Sequence, residues 1–236
     1  MNTTKAPFDD IRVRRAVNYA IDSQVLRRIY AEQLAPTQQI LPPGMPGYRK
    51  FELYPHDMAK ARRLIARAKP RDRRVTVWGD NESPNEEATA YYAQVLRELG
   101  FRVHLKVLSA DFYFSAIGNL STPNLDTGWS DWFEDYPHPN DFFQPLLSGE
   151  AIFRHYNSNF TQIDVPVLNP RIAGLRERPR VSESGYAALD RSYMNLAPMA
   201  PYGTRMLSTF VSKSIDLDKV VWNPTFGDDL ASFQFK

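Results

Sequence analysis

The 236-residue chain contains no cysteine. Disulfides, thiolate nucleophiles and cysteine zinc sites are therefore excluded, although a chain without cysteine can work in any compartment. It also lacks an apolar run of the roughly 18 residues that a membrane-spanning helix needs. Its opening residues, MNTTKAPFDD, hold no apolar signal core. An excess of one charge is missing as well, since 29 basic residues face 27 acidic ones for a net charge of +2. A nucleic-acid surface wants a basic stripe with a net excess, so the balance gives no case for such a partner. No GxxxxGK or GxGxxG loop offers a phosphate cradle, and no HExxH or HxH pairs histidines for a metal. No GxSxG presents a serine nucleophile, and no cofactor is implied.

What remains is an ordinary globular composition, 43% hydrophobic and 24% charged, in a chain long enough to bury a sizeable core. Pro7 and the pair Asp9 and Asp10 open a helical stretch in which Ile11, Val13, Ala16, Val17, Ala20 and Ile21 recur at helical spacing, as do Val25, Leu26 and Ile29. Four prolines and two glycines between Pro36 and Gly47 then force an extended, turn-rich loop. PHDMAKARRLIARAK predicts a second helix with Met58, Ala59, Leu64 and Ile65 buried and Arg62, Arg63 and Arg67 solvated. RRVTVWGDN alternates as a strand, PNEEATAYYAQVLREL reads as a helix closed by Gly100, and FRVHLKVL alternates again. Strand, helix and strand with short joints predict a βαβ unit with a parallel pair. DFYFSAIGNL predicts a short helix, LDTGWSDWF a third strand, and AIFRHYNSNF a strand and loop. The stretch from Asp164 to Pro198 predicts two helices, MAPYGTRMLSTFVSKSI one or two strands, and VVWNPTFGDDLASFQFK an irregular, aromatic-rich end. No internal repeat or low-complexity linker appears, which favours one compact α/β lobe.

Chemistry concentrates in DWFEDYPHPNDFF, residues 131–143, with four carboxylates, a tryptophan, a tyrosine, a histidine and two prolines. Asp131, Glu134 and Asp135 lie close enough to form an acid–base pair of the kind glycoside hydrolysis uses. Carboxylates so near in sequence rarely flank a scissile bond, and a loop of solvated or turn-forming acids is the simpler account. His138 and His155 show no ligand spacing, His56 falls at a helix start and His104 on the exposed face of a strand. Aromatic residues crowd the segment, among them Trp129, Trp132, Phe133 and Tyr136. Core packing accounts for several of them. Aromatics that end in acids and a Pro-x-Pro turn also suit a pocket wall with one charged anchor, able to hold an ammonium group by ion pairing and cation–π attraction.

Four stretches resemble the extracytoplasmic solute-binding proteins of peptide ABC transporters. NTTKAPFDDIRVRRAVNYAID is similar to the first helix of that family's second lobe. LPPGMPGY followed by PHDMAKARRLIARA is similar to its next loop and helix, and GWSDWFEDYPHPNDFF to its pocket segment. YAALDRSYMNLAPMAPYGTRMLSTFVSK resembles its late helix and strand. The resemblance implies a type II periplasmic-binding-protein-like lobe, a mixed β-sheet flanked by helices, with no catalytic role. It implies that residues 1–215 form the second, C-terminal lobe, while a first lobe, a signal peptide and a lipid-anchor cysteine would lie upstream. Residues 216–236 would be a tail returning toward that missing lobe. Carried over, Asp135 matches the aspartate that pairs with a peptide's α-amino group, and Trp132 the tryptophan lining the same pocket. Trp129, Tyr136, Asn157 and Tyr202 are further ligand-binding candidates, chosen for position. Glu134 and His138 depart from the family pattern, which bears on specificity more than on fold.

The implied partners are a peptide or similar small solute, the missing lobe and a membrane permease. The implied location is extracytoplasmic, and the isolated lobe is expected to self-associate through uncovered apolar surface. A carboxylate-dependent hydrolase using Asp131 and Asp135 is the alternative, and a protein-interaction module a third reading.

Overall fold

The structure, a computed structural model, describes residues 1–206, 208–223 and 227–236. Leu207, inside the late stretch expected to form strands, and residues 224–226, inside the expected irregular end, lie outside the described residues.

The first helical stretch forms two helices, α1 (Ile11–Ala20) and α2 (Ser23–Ile29). Asp10 caps α1 by accepting the Arg12 amide, as the sequence predicts for that acid pair. The chain then turns extended at Ile21, and Asp22 caps α2 through the Gln24 amide. The proline-rich loop crosses the surface of the late helices and contributes β1 (Leu34–Ala35) at its start. Helix α3 (Met58–Ala68) packs on α1, with Ala61 and Ile65 fully buried and Met58, Leu64 and Ala68 half-buried beside them. Ala59, expected inside, is exposed, because the buried stripe runs through positions 61 and 65, one helical turn apart. Arg62, Arg63 and Arg67 face solvent as expected.

The βαβ unit is present as β2 (Arg74–Asp80), α4 (Asn85–Glu98) and β3 (Arg102–Leu108), and the two strands pair in parallel from Arg74↔Arg102 to Asp80↔Leu108. Gly100 closes α4 with a φ of +88°, a conformation that a side chain disfavours. After α5 (Ala110–Ile117), the strand β4 (Thr127–Gly128) pairs in parallel with the other edge of β2, giving the order β3-β2-β4. β4 is far shorter than the expected third strand. As the central strand, β2 buries Val75, Val77, Trp78 and Asp80, so its predicted alternation of inside and outside is lost. Gly79 lies against α4, where an added Cβ would stand 2.5 Å from the Thr89 hydroxyl oxygen.

The chain continues through α6 (Asn140–Leu147), α7 (Asn169–Arg176) and α8 (Glu183–Leu196). Residues 151–160 form a loop after a short 3-10 turn, with no strand. Of the late strands expected, only β5 (Thr204–Arg205) appears among the described residues, antiparallel to β1. The end carries the short antiparallel pair β6 (Trp222–Asn223) and β7 (Gly227–Asp228).

Three apolar cores hold these parts together. One joins α1, α3, β2 and α4; a second joins the proline-rich loop to α6, α7 and α8; a third gathers α2, β1, Trp78, α5 and Trp129. Two buried charges tie them. Arg14 donates to the carbonyls of Phe8 (2.8 Å) and Leu196 (2.9 Å), fixing α1 to the end of α8. Asp190 on α8 accepts the amides of Ile40 (3.0 Å) and Leu41 (3.2 Å), which fastens the proline-rich loop. Burial raises the Asp190 carboxyl to about 6, against the pull of those two bonds.

Candidate functional site

The parallel strands deliver the segment of interest at their carboxyl ends, the place where open α/β sheets carry their ligands. β4 pairs Gly128 with Trp78, the Trp129 amide donates to the Trp78 carbonyl (3.0 Å), and the chain then leaves the sheet. The Tyr113 hydroxyl on α5 donates to the carbonyls of Trp129 (2.5 Å) and Trp78 (3.1 Å), pinning the exit point. Pro139 stands at the N-cap position of α6, so residues 131–138 form a loop held between a strand end and a helix start.

Asp141 organises that loop. In the first turn of α6 it is almost wholly buried, and one oxygen, Oδ2, accepts both the Trp132 indole N–H (3.1 Å) and the Asp135 amide (2.8 Å). Burial is the main reason its carboxyl titrates above the usual range, and the two donors oppose the shift. Asp141 is thus not the solvated or turn-forming acid that the sequence suggests. His138 is also more than a surface histidine. Its Nδ1 accepts the Asn140 amide (3.1 Å) and its ring stands edge-on to Tyr186, with centroids 5.7 Å apart. Burial lowers its pKa, so the ring is neutral at pH 7.

With the loop fixed this way, Trp132 is half-buried against the helical core, and Asp135 and Tyr136 are exposed. The Tyr136 hydroxyl accepts the Asn140 side-chain amide (3.2 Å). Among the described residues the Asp135 carboxylate makes no hydrogen bond or ion pair, while its amide is held by Asp141.

Trp129 and Tyr202 belong to a second group. The Trp129 indole N–H is shared between the hydroxyls of Tyr202 (2.8 Å) and Tyr30 (3.1 Å), and those hydroxyls bond each other at 2.8 Å. Tyr30 donates onward to Asn85 Oδ1 (3.3 Å), and Asn85 Nδ2 donates to Asp80 Oδ2 (3.1 Å). This chain of bonds links α2, α4, β5's approach and the end of β2. Burial raises both tyrosines, keeping their hydroxyls neutral. Arg205 on β5 sits over the Tyr30 ring, 5.7 Å from its centroid. Asp131 belongs here too. Burial raises its carboxyl, the Arg205 charge counters that, and Asp80 adds to it, so Asp131 is a partly buried acid and not a free turn-former.

Asn157 is brought to neither group by a hydrogen bond. It is buried, its amide donates to the Gly118 carbonyl at the end of α5 (2.9 Å), and its side chain donates to the Asn159 carbonyl (2.9 Å). The six candidates therefore divide into Trp132, Asp135 and Tyr136 on the loop, Trp129 and Tyr202 in the tyrosine network, and Asn157 apart. Tyr30, Asp80, Asn85 and Arg205 are neighbours of the candidate residues that the sequence reading missed. Asp80 and Asn85 are five residues apart, but Tyr30 lies 55 residues from Asn85, and no local spacing announces the network.

Two depressions lie away from the loop. A cleft of about 180 Å³ opens between the α1–α2 joint, the Thr37–Gln38 stretch and His56, with Tyr202 on its rim. Another depression lies in the end segment around Val221 and Leu230. Aromatic side chains stand out to solvent nearby: Phe133 and Phe153 are each 58% exposed and Tyr156 91%. Among the described residues no helix is long and apolar enough to cross a membrane, and no cluster of three acids or histidines could hold a metal ion.

Comparison with known proteins adds a family, two relatives and two solved structures. The family model of bacterial extracellular solute-binding proteins, family 5 Middle, matches residues 1–153. The glutathione-binding protein GsiB of Salmonella choleraesuis is 32% identical over 113 residues, 47% of this chain and 22% of that protein. Heme-binding protein A of Haemophilus influenzae is 27% identical over 187 residues, 75% of this chain and 33% of the other. Among solved structures, a clavulanic acid biosynthesis oligopeptide binding protein overlays the whole chain with a TM-score of 0.86 at 24% identity, using 45% of its own length. A Pseudoalteromonas dipeptide binding protein in complex with Met-Leu does so with a TM-score of 0.81 at 22% identity and 47% of its length. The chain thus spans less than half the length of the structures it overlays.

Proposed function

The chain belongs to the bacterial extracellular solute-binding proteins, family 5, a family of binding proteins and not of enzymes, and from that membership we propose that it is the second lobe of a transport receptor that captures peptides or similar small solutes. The single observation that carries this is the loop built on Asp141. It fixes the Asp135 backbone and the Trp132 indole through one buried oxygen, and among the described residues it leaves the Asp135 carboxylate exposed and without a hydrogen bond or ion pair. An exposed carboxylate beside a half-buried indole suits a ligand's ammonium group, by ion pairing and by attraction to the ring face. Its place at the carboxyl ends of the parallel strands supports the same reading.

Several further features fit a lobe that works with another. Phe133, Phe153 and Tyr156 would be covered when a first lobe closes over the ligand by hinge bending. The end segment 216–236 folds back on itself through the Asp216 amide and the Gln234 carbonyl (2.8 Å), and it leaves Leu217, Trp222, Leu230 and Phe235 exposed. Those side chains supply a surface for the first lobe, toward which this segment would return. The closed receptor would hand its ligand to an ABC permease, from an extracytoplasmic position held by a lipid anchor outside the present sequence. Trp129 and Tyr202 would support the strand end from which the loop leaves, while Asn157 would hold the segment after α5 and have no direct part in the site. The hydrolase reading through Asp131 and Asp135 has no place in a family of binding proteins.

The test uses the two-lobe protein and calorimetric titration with a dipeptide, free or N-acetylated at its amino end. Asp135→Asn is expected to weaken binding of the free dipeptide by roughly 10- to 100-fold, as for a charge-assisted contact, and to leave the acetylated one unchanged. Equal affinity of wild type and variant for the free dipeptide would remove Asp135 from the site.

A further inference from the structure

Away from the loop, the chain carries a charge asymmetry that its net value of +2 conceals. Residues 57–74 hold eight arginines and lysines against two aspartates, a local charge of +6, so the rest of the chain is net negative. Several of these side chains gather on one surface, although the Lys60 ammonium is taken by the Tyr19 hydroxyl and ring. Helix α3 turns Arg62, Arg63 and Arg67 outward with only Ala59 and Ala66 between them. Arg12 joins by donating to the Arg67 carbonyl (3.1 Å), and Arg62 reaches the Glu98 carbonyl at the end of α4 (3.4 Å). Arg73 donates to the Gly100 carbonyl (3.4 Å) and accepts the Arg102 amide (2.6 Å) with its own, which brings the starts of β2 and β3 into the same face.

The nearby acids do not neutralise it. Asp10 is taken by Arg12 (2.6 Å) and Asp72 by Arg74 (2.9 Å), and Asp57 stands 4.0 Å from Arg63. Among the described residues, Arg62, Arg67, Lys69, Arg71, Arg73 and Arg102 have no carboxylate at ion-pair distance. The location is as informative as the charge. β2 runs from Arg74 to Asp80, so the basic face sits at the amino ends of the parallel strands and the candidate site at their carboxyl ends, roughly 20 Å away.

We infer that this face docks on the surface of an anionic phospholipid bilayer. Guanidinium forks match phosphate oxygens, and six of the eight basic residues in the segment are arginine. A folded protein partner would want an apolar or aromatic anchor at the centre of the patch, and a nucleic acid would want aromatics on which bases stack. Residues 57–74 contain no aromatic residue, and the exposed α3 positions beside the arginines are Ala59 and Ala66. Such a surface reads charge alone, which a fluid sheet of lipid phosphates supplies. Docking there leaves the loop of Asp135 uncovered, so bilayer binding and ligand binding proceed independently.

Co-sedimentation of the chain with vesicles of mixed phosphatidylglycerol and phosphatidylcholine tests this, with pure phosphatidylcholine as the reference. Binding is expected on the mixed vesicles at low salt, its loss at high salt, and none on the zwitterionic ones. The triple variant Arg62→Gln, Arg63→Gln, Arg67→Gln should bind on the order of 100-fold more weakly. Lys69→Gln with Arg71→Gln, on the loop and outside any helix, should lose roughly 30-fold and stands in if the triple misfolds. Arg171→Gln, Arg178→Gln, Arg180→Gln removes the same charge from another exposed surface and should change nothing. An equal loss from both triples, binding to pure phosphatidylcholine, or binding to a DNA duplex without binding to vesicles would each overturn the assignment.

Discussion

Replacing Asp141 separates the two things its carboxylate does, which are accepting hydrogen bonds and being a buried charge. Both donors, the Trp132 indole and the Asp135 amide, go to the same oxygen, at 3.1 and 2.8 Å. Each bond to a charged acceptor is worth about 1.5–3 kcal/mol before burial is counted. Burial opposes them, as the raised carboxyl titration shows. Water can also replace the bond to Asp135, which is exposed. Asp141→Ala should therefore cost about 2 kcal/mol, most of it from the half-buried indole N–H. Asp141→Asn should cost less than about 1 kcal/mol, because one amide oxygen in the same place accepts both donors and carries no charge to bury. Urea denaturation at neutral pH measures both, with an unchanged slope expected because the same surface is exposed on unfolding. The alanine variant should also shift tryptophan emission to the red as the Trp132 indole turns toward water. An alanine variant within about 0.5 kcal/mol of wild type would refute the account of the loop, since changes that small are what ordinary surface substitutions give. So would an asparagine variant as unstable as the alanine one.

Two further expectations concern the fold around the site. Asp190 has its carboxyl raised to about 6 in the folded chain, above its ordinary unfolded value, so the stability tied to its proton is fully present below about pH 4 and is lost as pH rises through about 6. Wild type should accordingly gain about 1 kcal/mol between pH 7 and pH 5 relative to Asp190→Asn, and parallel pH profiles in thermal denaturation would contradict this. The exposed aromatic side chains predict weak self-association of the chain on its own; Phe133→Ser with Phe153→Ser should reduce it, and a clean monomer across a concentration series in analytical ultracentrifugation would count against it.

The βαβ unit was readable from sequence because its signals are local. The alternation of β3, the acids Glu86 and Glu87 in the first turn of α4, and Gly100 at its end each act within a few residues. Where the reading failed, the cause acts from a distance. The break between α1 and α2 is set partly by Tyr91 on α4, whose hydroxyl accepts the Asp22 amide at 2.8 Å. β4 stops after two residues because Tyr113 takes the Trp129 carbonyl that a longer strand would offer to its neighbour. The length of β5 had a similar fate: its partner β1 is itself two residues long, bounded by the proline-rich loop.

The same distinction explains what could be read of the site. Trp132 and Asp135 were found because their types and spacing lie in one short segment. Asp141 was dismissed although it stands only six residues from Asp135, because a carboxylate in a turn-rich stretch reads as solvated unless a basic partner is in sight. Here the partner is not basic. Buried carboxylates in this chain serve as acceptors for backbone and indole N–H groups: Asp141 for Asp135 and Trp132, Asp190 for Ile40 and Leu41. Such a role needs no charge of opposite sign and leaves no charge pattern. An accumulation of acids is then weak evidence for catalysis, since the fold itself consumes them. Within residues 131–143, Asp141 is spent on the loop and Asp131 is partly buried, whereas Asp135 has its amide restrained and its carboxylate exposed. The restraint matters as much as the exposure. A free acid on a loose loop loses conformational freedom when it meets a cation, and an acid whose backbone is already held does not.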